Sequence, residues 1–443
     1  MKKVLAFDFG ASSGRAILGT SDDGGNIQLT EIHRFANEPV RVNGYFYWDI
    51  LRLFHEIKVG LTKCANAGHA DISSIGIDTW GVDYGLIDAN GELIGNPYHY
   101  RCKRLHGVVD KVETKLSREF LYTETGIQTQ YFNTIYQLAA GEIQKNAEKL
   151  LFMPDLLAYF LTGEKRCERT IFSTSQLMNI QTGELSEKIS ETLNIPQELF
   201  APMIEPGEKY GFLKADIARE VGVPQIPVIA VATHDTASAV AAVPFKSANS
   251  AFISCGTWSL LGLKLNKPIV TNEAMTAGFT NEAGIGGSIR FLKNINGAWL
   301  AQECRRIWAQ NGDDVSYATL GAEASAALDF KSTVDPNAPE FAAPVDMTKE
   351  IYDFCVRTGQ TPPQTKGEFL VLINRSLAES YRDVVDSLEK IANVKIDTIH
   401  MVGGGIQDEM LCRMTEEITK RAVVTGPIEA TAMGNVMVQL GCI

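Results

Sequence analysis

The sequence predicts an α/β protein built as two lobes of like construction, and three stretches carry that prediction. Residues 4–19 read as strand, Gly/Ser turn, strand. Residues 251–263 repeat the device around Cys255-Gly256-Thr257-Trp258. Residues 227–240 are an apolar strand that passes without a linker through His234-Asp235 into a helix of small residues. Two lobes that each present a glycine turn would face one another across a cleft. For the second turn a chance hairpin stays open, since short apolar runs around glycine are common.

Composition bounds the function. The 443 residues are 45% apolar and 21% charged, enough for a large core and for two or three domains. A formal charge of −12 argues against nucleic acid or an anionic membrane as the main partner. It leaves phosphate ligands open, because backbone amides and a metal ion neutralise them locally. No run approaches the roughly 18 apolar residues of a membrane span, and Lys2-Lys3 leads into only four apolar residues before Asp8. A soluble protein without a signal peptide is expected. The eight cysteines contain no Cys-x-x-Cys pair and the seven histidines show no zinc-like spacing, so reduced thiols and no structural metal are expected.

In the first turn, Gly10 and Gly14 let the backbone approach a ligand, and Ser12 and Ser13 add hydroxyl donors. Asp8, just before it, is placed to hold a hydrated Mg²⁺, with a plain hairpin as the competing reading. A third strand over 27–35 completes a meander. Asp49 then caps a helix with Ile50, Leu53, Phe54, Ile57 and Leu61 on one face. Residues 72–78 form a strand ending in Asp78. Trp80, Asp83, Tyr84, His99 and Tyr100 follow, groups that hydrogen-bond hydroxyls or stack on sugar rings and that also make ordinary surface, so sugar binding is a candidate reading.

Residues 105–225 read as mostly helical, with Pro154 opening a helix that Gly163 closes. Asp235 lands on a strand-to-helix corner, where a helix cap and a catalytic carboxylate are both open. Pro244 stops its helix. Setting Gly256 on Gly10 places Ser254 opposite Asp8 and Ser259 opposite Ser13. A strand over 289–295 feeds Asn296-Gly297 and a helix over 298–310, with Asn294 and Gln302 near the junction. Residues 330–345 read as a loop and 368–392 as a long amphipathic helix. A strand over 398–402, the turn Gly403-Gly404-Gly405 and a helix over 407–421 follow, without the Gly-x-Gly-x-x-Gly spacing of a dinucleotide fold. The last helix, from 429, is expected to expose small residues.

Together these stretches resemble the FGGY family of carbohydrate kinases, within the sugar kinase, actin and Hsp70 superfamily. The marks, in order, are Asp8-Phe9-Gly10-Ala11-Ser12-Ser13-Gly14-Arg15, Gly76-Ile77-Asp78-Thr79-Trp80-Gly81-Val82-Asp83, Ala232-Thr233-His234-Asp235-Thr236-Ala237-Ser238-Ala239-Val240, Gly256-Thr257-Trp258-Ser259, Leu292-Lys293-Asn294-Ile295 and Val402-Gly403-Gly404-Gly405. The resemblance implies two ribonuclease-H-like lobes flanking a nucleotide- and sugar-binding cleft. Residues 1–245 would bind sugar and carry the base, and residues 246–443 would bind nucleotide.

By the same resemblance Asp235 is the general base. Ala11, Ser12, Ser13, Gly14, Arg15 and Thr257 bind phosphate, and Gln302, Gly404 and Gly405 flank the nucleotide. Gly81, His234, Asp235, Thr236 and Asn294 contact the ketose, and Asp8 serves Mg²⁺ through water. The expected reaction is transfer of the γ-phosphoryl group of ATP to a primary hydroxyl of a 6-deoxy ketose, in the cytoplasm, by a monomer or dimer. Another ketose or polyol kinase of the family is the alternative, and a non-catalytic nucleotide-gated protein a more distant one. Cys102 departs from the family pattern, which often has Asp there. The chain also stops at Gln439-Leu440-Gly441-Cys442-Ile443, short of the usual tail, so the tail is either dispensable or missing.

Overall fold

The computed structural model describes every residue except 1, 23, 142, 143, 145, 246, 248, 343, 442 and 443, so the last two residues of the expected terminus lie outside it. The chain forms two compact units. The first comprises the residues up to Ala242, the segment Lys264–Phe291 and the closing helix Ala430–Leu440; the second comprises Val243–Leu263 and Leu292–Glu429. The compact units are discontinuous along the chain: the closing helix returns to the first sheet, on which its small residues seat it. No helix among the described residues is long and apolar enough to cross a membrane.

The first unit holds a six-stranded sheet in the order Lys209–Phe212, Pro227–Ile229, Ile75–Thr79, Lys2–Phe9, Ser13–Ser21, Ile27–Ala36. Lys2–Phe9 pairs antiparallel with Ser13–Ser21, which pairs antiparallel with Ile27–Ala36. Ile75–Thr79 and Pro227–Ile229 extend the sheet in parallel. Strand alternation sorts the first strand's side chains between two faces. Leu5, Phe7 and Phe9 join the core that includes the helix Ile50–Cys64, where Gly60 lets the helix come so near that a Cβ would lie 2.7 Å from the Phe7 ring. Asp49 caps this helix, accepting from the Arg52 amide at 3.1 Å.

Val4 and Ala6 point the other way, onto Val436 of the closing helix. That helix sits so close that a Cβ on Gly19 would meet Val436 at 2.4 Å and one on Gly76 would meet Asn435 at 2.5 Å. Ala432 and Gly434 are therefore buried rather than exposed: the small residues of the last helix are its packing face. The region 105–225 mixes helices with the strands Ala147–Phe152, Cys167–Glu168, Met203–Ile204 and Lys209–Phe212, so it is less uniformly helical than its sequence suggests. Pro154 and Gly163 bound the helix Met153–Thr162 as expected, Gly163 at φ +83.

The second unit repeats the plan. Ser250–Cys255 pairs antiparallel with Trp258–Leu265 and parallel with Thr398–Val402, which pairs parallel with Ala422–Thr425. Ile289–Asn296 flanks Trp258–Leu265. With the edge strands Lys209–Phe212 and Thr280–Ala283 set aside, the remaining five strands of each sheet run third, second, first, fourth, fifth in chain order. The helix Lys366–Ala392 starts at a capping box, Thr365 with Glu368, and Asp408 caps Glu409–Thr419 after a short 3₁₀ turn. The turns differ by one residue: Phe9 pairs with Gly14, but Cys255 pairs with Ser259. Ser254 does match Asp8, whereas Ser259 matches Gly14 and not Ser13.

Candidate active site

The acids of the first unit converge because adjacent strands bring them into register. Asp8 stands beside Arg15 on one side and Asp78 on the other. Arg15 Nη2 donates to Asp8 Oδ2 at 2.5 Å. Asp78 is fully buried; its Oδ2 accepts from Asn435 Nδ2 at 2.5 Å, and its Oδ1 has no partner among the described residues. Burial pushes the Asp78 carboxyl well above the usual range, and the negative charges of Asp8 and Asp235 push it the same way. In the adjoining turn the Gly10 amide is spent on Ser13 O at 2.9 Å, so Ala11 and Ser12 form its exposed tip.

Asp235 opens the helix Asp235–Ala241, directly after the bridge that joins His234 to Thr79. Its side chain is 32% exposed, against 5% for Asp8. Its Oδ1 accepts from the Thr236 amide at 2.5 Å and from Thr236 Oγ1 at 3.0 Å; the N-cap position is His234, whose side chain makes no capping bond, so Asp235 sits in the first turn and does not act as the expected cap. Two buried ionic groups support it from behind. Glu168 Oε2 accepts from the Thr233 amide at 3.1 Å and from Thr233 Oγ1 at 2.5 Å, pinning the segment just before Asp235. Arg290 Nη1 lies 2.8 Å from Glu282 Oε2, and both groups reach His234.

Gly81 rests on a closed polar-aromatic support. Asp83 Oδ2 accepts from Trp48 Nε1 at 2.6 Å, Trp80 Nε1 at 3.0 Å and the Tyr100 amide at 3.2 Å, while Oδ1 accepts from Gln137 Nε2 at 2.6 Å. Complete burial still raises Asp83 to about 6, since those bonds only partly offset desolvation. His99 stacks on Trp48 at 4.2 Å, and burial drives its pKa down to about 3. Trp80, Asp83 and His99, read from sequence as sugar-binding candidates, are therefore engaged with this support: Trp80 bonds Asp83, and His99 stacks on Trp48, which bonds the same carboxylate. Above them Val82 is held at φ +67, its amide donating to Thr174 Oγ1 at 3.1 Å and its carbonyl accepting from Thr134 Oγ1 at 2.7 Å. Cys102 is buried.

In the second unit, Thr257 Oγ1 donates to Gln302 Oε1 at 3.3 Å. The amides of Gly297 and Ala298 donate to Thr257 O and Gly256 O, each at 3.0 Å, which ties the turn to the start of the helix Trp299–Gln310. Gly403, at φ +90, and Gly405 press on Cys255: a Cβ on either would lie 2.8 Å from Cys255 O or 2.7 Å from its Cβ, respectively. Gly404 is exposed between them. Asn294 is half-buried on Ile289–Asn296, and no hydrogen bond among the described residues joins it to Thr257 or Gln302.

Sequence reasoning missed Glu168, Glu282, Arg290 and Asn435. Arg290 carried a legible signal, a lone charge inside the apolar run Ile289-Arg290-Phe291-Leu292. Glu168 carried none, because its role depends on Thr233, 65 residues away.

Known proteins match over the same stretches. The N-terminal domain model of the FGGY family of carbohydrate kinases matches residues 3–242, and its C-terminal domain model matches residues 251–441. The chain is 43% identical to a rhamnulokinase of Bacteroides thetaiotaomicron, over 99% of this chain and 90% of that protein. It is 44% identical to one of Halalkalibacterium halodurans, over 99% and 93%. Among solved structures, a ligand-bound xylulose kinase from Lactobacillus acidophilus superposes with a TM-score of 0.79 at 15% identity, over 100% of this chain and 90% of that one. A Plasmodium falciparum glycerol kinase with ADP gives 0.78 at 15%, over 99% and 89%. At such identities the structures establish the shared two-domain α/β fold.

Proposed function

Since the chain belongs to the FGGY family of carbohydrate kinases and is a sugar phosphotransferase, we propose that it transfers the γ-phosphoryl group of ATP to the 1-hydroxyl of L-rhamnulose, giving L-rhamnulose 1-phosphate and ADP. Relatives of 38–44% identity named rhamnulokinase support this sugar. The observation that carries the mechanism is Asp235, the acid that opens outward beside two buried ones. An alcohol is a poor nucleophile, and a carboxylate within hydrogen-bond reach accepts its proton as the new P–O bond forms.

The remaining roles follow the family likeness. Gly81, His234, Thr236 and Asn294 hold the ketose. Ala11, Ser12, Ser13, Gly14, Arg15 and Thr257 hold phosphate, and Gln302, Gly404 and Gly405 hold the nucleotide. The donor set fits Mg²⁺: buried Asp78 Oδ1 has no partner, and Asp8 is its register neighbour. No group of three or more His, Cys, Asp or Glu side chains among the described residues is placed to hold an ion, which suits an ion that keeps water and phosphate as most of its ligands. Bound there, Mg²⁺ supplies charge neutralisation at the transferring group. Dependence on ATP supports a cytoplasmic location.

An ADP-release assay over L-rhamnulose, L-fuculose, xylulose and glycerol tests the reading. Highest kcat/KM for L-rhamnulose is expected, and preference for any other member overturns the choice of sugar. Asp235→Asn is expected to retain ATP binding and lose phosphorylation; near-normal turnover would remove Asp235 as the base.

A further inference from the structure

We propose that Arg290, backed by Glu282, is a positioning residue that keeps the His234 proton on Nε2, so that His234 donates to Asp235 Oδ1 and leaves Oδ2 to receive the proton of the sugar hydroxyl. The inference rests on Asp235 as the base and adds how that base is oriented.

Arg290 is 1% exposed, in a strand whose neighbours are apolar. A guanidinium carries only N–H donors. Its Nε and Nη2 both donate to Ala283 O at 3.1 Å, which locks its plane, and Nη2 also reaches His234 Nδ1 at 3.1 Å. An atom approached by that donor must accept, so the imidazole proton belongs on Nε2. Glu282 Oε2 lies 3.3 Å from the same Nδ1 and 2.8 Å from Arg290 Nη1. A proton on Nδ1 would bond Glu282 but point an N–H at an Arg290 N–H. Glu282 instead serves as counter-ion for a buried guanidinium that would otherwise be strongly destabilising. Burial alone would raise the Glu282 carboxyl; the Arg290 charge is the chief influence against it, and the group is held at about 2.

His234 Nε2 faces Asp235 Oδ1 at 3.4 Å. Thr236 already gives that oxygen two bonds, and among the described residues the hydrogen bonds and ion-pair contact of the Asp235 carboxylate all fall on Oδ1. An oxygen surrounded by donors holds its charge more tightly and is the poorer proton acceptor of the two. A flipped tautomer would turn a lone pair toward the carboxylate, repel it, and rotate Oδ2 away from its working direction.

The test is the tautomer itself. In the full chain with ¹⁵N-labelled histidine, the His234 ring signals are identified by their loss in His234→Gln. A protonated Nε2 and an unprotonated Nδ1 are expected; the reverse overturns the proposal. Arg290→Lys keeps the positive charge beside Glu282 but loses the planar fork. It is expected to move the proton toward Nδ1 and to lower kcat about ten- to a hundredfold, with KM for ATP unchanged. A wild-type tautomer or a wild-type kcat in that variant also overturns it. If Arg290→Lys does not fold, the wild-type spectrum decides alone. Turnover that survives Asp235→Asn defeats the base assignment while leaving the tautomer result standing, so the two failures are distinguishable.

Discussion

Replacing Gly434 with alanine tests whether the closing helix sets the position of Asp235, the proposed base. Gly434 packs backbone to backbone on the helix Asp235–Ala241, so that a Cβ would lie 1.8 Å from Ser238 O and 2.6 Å from its carbonyl carbon. Real Cβ contacts do not fall below 3.0 Å, so the helices must separate by about 1.2 Å. Overpacking of this kind costs roughly 1–3 kcal/mol or more, which at about 2–4 °C per kcal/mol lowers Tm by roughly 2–12 °C. Ser238 lies one turn after Asp235, and Asn435 follows Gly434, so the shift moves Asp235 and the Asp78 partner together. A displacement near 1 Å at the reacting groups can cost on the order of a hundredfold in kcat. Calorimetry and the coupled assay read both effects. Gly321→Ala is the control: it lies in the helix Tyr317–Ala326 with nothing within 4 Å of its Cβ, and alanine there favours helix by up to about 1 kcal/mol. Wild-type Tm and kcat in Gly434→Ala, or damage from Gly321→Ala, would refute the reasoning.

Two further outcomes follow from the same geometry. Asp83 has a folded pKa raised from 3.8 to about 6, so the folded state holds its proton more tightly than the unfolded chain does. Its contribution is fully present below pH 3.8 and declines as pH rises through about 6, a change on the order of 3 kcal/mol for this buried group. Urea unfolding of wild type and Asp83→Asn at pH 4.5 and pH 7 checks this; the wild-type advantage should shrink at the higher pH, and a gap that widens is the contrary result. Gly297→Ala would put a methyl 2.6 Å from Ser259 Oγ and 2.8 Å from Gly256 O, deforming the turn that carries Thr257. Titration with ATP and with ketose separately should show KM rising severalfold for ATP alone.

How much the sequence discloses depends on whether a residue acts through its neighbours along the chain. The Gly turns, the Asp49 cap, the helix closed by Gly163 and the corner at Asp235 are local, and the structure places them where their patterns point. The second turn is misaligned by one residue because faint similarity does not reveal that it is shorter. The exposed-looking small residues of the last helix mislead for another reason. Small residues mark either an idle surface or the closest packing, and only the Gly19 and Gly76 seats on a distant sheet decide which. Trp80, Asp83 and His99 look like ligand groups because donors, acceptors and rings suit sugars and one another equally well. The Glu282–Arg290 pair escapes notice because its meaning lies in a histidine more than forty residues away.

The return of Ala430–Leu440 to the first sheet also governs when that sheet is finished. Asp78 and Asn435 are separated by 357 residues, and no earlier stretch supplies the helix that covers Val4, Ala6 and Gly76. At about 5–20 residues per second of synthesis, roughly 20–70 s pass between the emergence of the two. For that interval a nascent chain carries the strand of Asp78 and the helix of Asp235 with their common cover missing. Assembly of the first unit is therefore a late event, gated by the emergence of Ala430–Leu440, and until then the apolar face around Val4 and Ala6 stays uncovered.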